Sequence, residues 1–167
     1  MRTPSADALR EHLAYEIHYL VLAAVRFSQI RGREASIYQD SALLHARTLL
    51  EFAQAKRPPG WWIPDLGGDN PQQDVLLDAW LQFINTYASH LGQRRLSGSR
   101  WPVPENERRL ITLSEFALNR IRDLLPSGST KPHVVVMQHL TEVGLRYLSS
   151  PQETTLAEIA QLIDNPI

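Results

Sequence analysis

Leu9, Leu13, Ile17, Leu20, Ala24 and Phe27 recur three or four residues apart, the spacing that lines one face of an α-helix at about 3.6 residues per turn. A half-buried strand would alternate at every second position instead. The β-branched run Val134-Val135-Val136 sits inside a longer helical pattern. Turn chemistry then divides the chain. Thr3-Pro4-Ser5 opens a helix over about 5–31, with Ser5 in the N-cap position and Gly32 closing it. A second helix is expected over 36–56, stopped by Pro58-Pro59-Gly60. A third is expected over 73–95, a fourth over 105–125 and a fifth over 132–149, with Pro132 in the first turn, followed by a short one over 155–163. Short connections between long amphipathic helices favour antiparallel neighbours. The expected fold is therefore all-α: a single bundle domain of about five helices spanning 1–167, plus a short C-terminal helix.

Composition narrows the chemistry. Hydrophobic residues make up 43% of the chain, enough for a core. Cysteine is absent, which removes disulfides, thiolate metal sites and cysteine nucleophiles, and suits a cytoplasmic location. Net charge is −1, so the chain as a whole is no polyanion binder and DNA is not an expected partner. The most apolar stretch, Ile17 to Val25, falls far short of the about 20 residues a membrane span needs. Charge is uneven, however. Four acids (Asp65, Asp69, Asp74, Asp78) lie in a stretch without Lys or Arg, and Arg94, Arg95, Arg100, Arg108, Arg109, Arg120 and Arg122 cluster further on. The plain reading is solvated helix faces with intramolecular pairing; the functional one is a local site for phosphate or RNA.

Familiar catalytic patterns are missing. No Glu-x-x-His or His-x-x-x-His stands in the chain, so no metal is expected. Gly67-Gly68 lacks the Lys and Ser/Thr of a phosphate loop, and no cofactor is expected. His12 and Glu16 stand one turn apart and read as a surface pair.

Two segments carry more. In Leu43 to Phe52, His45 falls within the apolar arc of Ala46, Leu49, Leu50 and Ala53, whereas Arg47 lies about 160° away beside Glu51. His45 is thus expected to be a core histidine with one satisfied hydrogen bond, and Arg47 the partner of Glu51. In Asn85 to Arg95, His90 sits at the edge of an arc formed by Leu76, Leu77, Trp80, Phe83, Ile84, Tyr87 and Leu91, with Arg94 one turn on and Arg95 beside it. An imidazole and a guanidinium meeting at a helix end suit phosphate chemistry: one handles a proton, the other grips the anion. The plain alternative is that cations near a helix C-terminus are favoured by its dipole. Trp61, Trp62 and Trp101 are expected to lid the bundle ends, or to anchor a partner or stack a base.

Taken in order, Glu11 to Ile17, then His45-Ala46-Arg47-Thr48-Leu49-Leu50-Glu51-Phe52, then His90-Leu91 with Arg94-Arg95 and Trp101, resemble a group of short uncharacterised bacterial helical proteins with His-Ala-Arg-x-Leu and His-Leu-x-x-x-Arg motifs. More distantly, Asn85 to His90 resembles the catalytic helix of HEPN domains, α-helical bundles of which many are metal-independent RNases. That resemblance implies His90 as general base and an arginine stabilising the phosphorane. Ile84 stands where the HEPN arginine would, so Arg94 or Arg47 would have to replace it. A binding or interaction module, joined as a homodimer through helix faces, is the leading reading, with His45, Arg47, Arg95 and Trp101 as binding residues. The alternatives are a HEPN-like RNA binder or endoribonuclease using His90 and Arg94, and a small-molecule binder with its ligand in the bundle core.

Overall fold

The apolar stripes expected in the first third of the chain become two long helices that run against each other. The computed structural model describes residues 6–58, 62–88 and 108–164. Among them the chain forms α1 (Ala6–Gln29), α2 (Glu34–Phe52), a 3-10 turn (Ile63–Leu66), α3 (Val75–Ala88), α4 (Arg109–Leu124), α5 (Pro132–Ser149) and α6 (Leu156–Asp164). Tyr19 meets His45, while Arg26, further along α1, lies over Tyr38, earlier in α2. The pair is therefore antiparallel, turned at Gly32, whose φ of 86° lies in the region glycine enters without penalty.

α1 is the hub of the bundle. It packs against α2, α4, α5 and α6, while α3 leans on α2 and α4 lies along α5. One continuous core results, drawing on Ile17, Leu20 and Ala24 of α1, Leu43 and Leu50 of α2, Trp80 of α3, Leu118 of α4 and Met137 of α5. Small residues set the closest approach: a Cβ on Gly144 would come within 2.8 Å of Leu118 and 3.1 Å of Val21. The buried hydroxyls of Ser114 and Thr141 are satisfied by the carbonyls of Leu110 and Met137, one turn back.

Several boundaries shift from the sequence expectation. α2 starts earlier, at Glu34, and ends at Phe52 rather than near 56. Its end is pulled over by Trp62, whose indole N–H donates to the Gln54 carbonyl at 2.8 Å, and Pro58 disfavours helix just before it. Trp62 is thereby a staple of the loop, also covered by Arg57, which grips Asp65 through two nitrogens at 3.0 and 3.1 Å. α3 starts at Val75 because Asp74 caps it, accepting from the Leu76 and Leu77 amides at 2.9 and 3.2 Å. Within α3, Leu81 takes the core place expected of Leu76, which is exposed. Leu77, Trp80, Leu81 and Ile84 form the three-and-four stripe, and Leu76 falls outside it.

The C-terminal helix carries a capping box: Thr155 N–H and Oγ1 both donate to Glu158 Oε2 at 2.7 Å, and Glu158 N–H returns to Thr155 Oγ1 at 3.2 Å. These bonds hold the Glu158 carboxyl below its ordinary value of 4.5. A lowered folded value stabilises the helix above the unfolded pKa, and that contribution disappears as the pH falls through the folded one. Amide-exchange protection at Thr155 and Glu158 should therefore decline below about pH 4.5, and Glu158→Gln should flatten that dependence.

Candidate functional site

α1 presents polar and aromatic residues to α2 along its edge. His45 is buried on α2 and its ring is held on three sides. Nδ1 lies 2.7 Å from Glu16 Oε2. The Tyr19 ring stacks on it with centroids 5.5 Å apart, and the Tyr15 ring meets it edge-on at 5.7 Å. Tyr15 and Tyr19 touch each other at 4.4 Å, one turn apart on α1. A carboxylate offers only acceptors, so His45 must carry a proton on Nδ1 and donate it. The pair is largely enclosed, with the His45 and Glu16 side chains 10% and 18% exposed.

The arrangement is a fixed ring beside a fixed carboxylate, bordered by water. Tyr15 is 48% exposed, and next to His45 on α2 the apolar Leu44 is 56% exposed. Ile37, two turns earlier on the same face, is 67% exposed. Arg26 sits over the Tyr38 ring at 5.7 Å and extends the seam toward the α1–α2 turn.

His45 therefore matches the expectation of a core histidine with one hydrogen bond. Arg47 matches too: its Nε donates to Glu51 Oε1 at 2.7 Å, on the outer face of α2. His45 and Arg47 do not converge. Glu16, expected beside His12, reaches across to α2 instead. The tyrosines were not legible as a site; their i, i+4 spacing was visible, but only the antiparallel register of α2 brings His45 between them. His90, Arg94, Arg95 and Trp101, with Trp61, lie outside the described residues.

Among the described residues, part of the uneven charge is paired within the chain. Arg120 reaches from α4 to the Gln72 carbonyl at 2.8 Å and to Asp74 at 3.9 Å, joining the basic and acidic stretches, and Arg122 turns to Asp123. Among the described residues no group of three or more His, Asp or Glu is placed to hold a metal ion, and no helix is long and apolar enough to cross a membrane. Compared with known proteins, the chain matches no family model, no curated protein and no solved structure.

Removing either member of an enclosed pair strands the other, whereas an exposed ion pair contributes little. Glu16→Ala is expected to destabilise the fold by about 1–3 kcal/mol in urea unfolding. Arg47→Ala, which removes the exposed pair, should cost no more than about 0.5 kcal/mol. Equal effects would mean that the Glu16–His45 bond is as weak as a surface contact.

Proposed function

We propose that the chain is an interaction module that pairs with a second copy of itself through the outer face of α2, with the Tyr15–Tyr19–His45 seam as the rigid edge of the contact. The observation carrying this reading is the exposure of Ile37 and Leu44 on one face of α2. Exposed apolar side chains scattered singly need no explanation, but grouped ones mark interaction surfaces.

Charge supports a second copy as the occupant. Asp40 precedes Leu44 by one turn and Arg47 follows it by one turn. When two α2 helices pack face to face and antiparallel about Leu44, each Asp40 comes opposite the other copy's Arg47, whose Nε Glu51 already holds at 2.7 Å, so the contact between copies adds to that pair. Such a two-fold contact is self-complementary and closed. The seam adds preorganisation: rings already ordered in the free chain lose little conformational freedom on association.

Sedimentation velocity at tens of micromolar tests this. The native chain should sediment as a dimer, and Leu44→Asp should weaken pairing by at least about tenfold while its circular dichroism stays native-like. Asp40→Arg or Arg47→Asp alone should also weaken it, and the two together should recover it. A native chain that stays monomeric, or a Leu44→Asp chain that pairs equally well, contradicts the proposal.

A further inference from the structure

The end of α1 is bonded directly to the turn between α5 and α6. Gln29 donates both N–H groups of its side-chain amide, to the carbonyls of Pro151 and Thr154 at 2.7 and 2.8 Å. Gln152 returns the contact, donating to the Ser28 carbonyl at 2.8 Å. The turn is itself closed. The buried Thr154 hydroxyl donates to the Ser150 carbonyl at 3.0 Å, and the Thr154 amide reaches the same oxygen at 3.2 Å.

A side-chain amide can point either way, and here its neighbours decide the orientation. Carbonyls only accept, so the Gln29 nitrogen must face the turn. Its oxygen then faces Arg26, whose guanidinium only donates, and Nη1 reaches it at 3.4 Å. Arg26 in turn lies over the Tyr38 ring at 5.7 Å. The contacts run in series from the turn, through Gln29 and Arg26, to the start of α2. Gln29 and Pro151 stand 122 residues apart, so the series joins distant parts of the chain.

α2 needs such a hold where it begins. Its N-cap residue, Arg33, makes no side-chain capping bond, so the first turn lacks the local support that a cap supplies. Tyr38 packs its half-buried ring against the core. Ile37, the residue before it, is 67% exposed on the outer face. Whatever fixes the Tyr38 ring also fixes the direction in which Ile37 projects.

We propose that Gln29 is a positioning residue for the pairing face of α2: it ties the α5–α6 turn through Arg26 to Tyr38, and so sets where Ile37 points. Its part in pairing rests on the reading that a second copy meets that face. Its hold on α2 does not.

Amide hydrogen exchange in a Leu44→Asp background reads the hold on α2 with pairing weakened. Gln29→Ala should lower protection at Tyr38 and Gln39 by about tenfold, while Leu49 and Leu50, at the far end of the same helix, stay within about twofold. Arg26→Met breaks the middle of the series and leaves the bonds from Gln29 to the turn, and it should do the same. Gln29→Glu keeps an acceptor for Arg26 but offers the two carbonyls no donor, so it should behave as Gln29→Ala does. In the otherwise native chain, Gln29→Ala should weaken pairing in sedimentation by about threefold or more.

Protection at Tyr38 that ignores both Gln29→Ala and Arg26→Met, or that falls equally at Leu50, would overturn the proposal. So would a Gln29→Glu chain as protected as the native one, or a native dimer that Gln29→Ala leaves equally tight. A native chain that stays monomeric contradicts the pairing reading alone, and exchange at Tyr38 still decides whether Gln29 holds α2.

Discussion

α1 has almost no face of its own to give to water. Four other helices lie against it, and of its described side chains only a narrow stripe reaches the surface. A helix so enclosed must be apolar or small along most of its circumference, as Ile17, Leu20, Val21, Ala23 and Ala24 are. Each polar group it does carry at the margin must find a partner. The Glu16–His45 bond follows from that demand, and it ties α1 to α2 at the place where both helices turn from core to surface.

In the reading proposed above, that margin is the contact edge. A ring fixed by a carboxylate and two tyrosines is stiff, and stiffness next to the exposed Leu44 makes an edge a partner can meet without reordering it. The distal end of the bundle follows a different rule. There the last carbonyls of α1 and α5 accept from Arg31 and Arg108 beside a depression floored by Leu110 and Ile111.

The helical architecture was legible because periodicity and turn residues agree along the chain. Pro132 opens α5 and Ser149 closes it at the expected places. Boundaries set by tertiary contact were not legible. Nothing local announces that Trp62 takes the Gln54 carbonyl, or that α2 therefore stops at Phe52. The burial of His45 and the outward pairing of Arg47 were legible from the helical wheel, since both depend on angle alone. The partner of His45 was not, because Glu16 stands 29 residues away and only helix register brings it near. The depression at the end of the bundle was hidden for the same reason: Phe27, Arg108 and Gln152 come together only where three helices meet.

The α1–α2 seam turns on a single proton. If Glu16 fixes the seam, the His45 Nδ1 hydrogen sits in an enclosed bond to a carboxylate and is shielded from solvent. Long-range ¹H–¹⁵N correlation of the imidazole should then find a hydrogen on His45 Nδ1 that exchanges slowly enough to be observed and becomes fast in Glu16→Ala. A neutral ring protonated at Nε2, or an Nδ1 hydrogen that exchanges freely in the native chain, would contradict it.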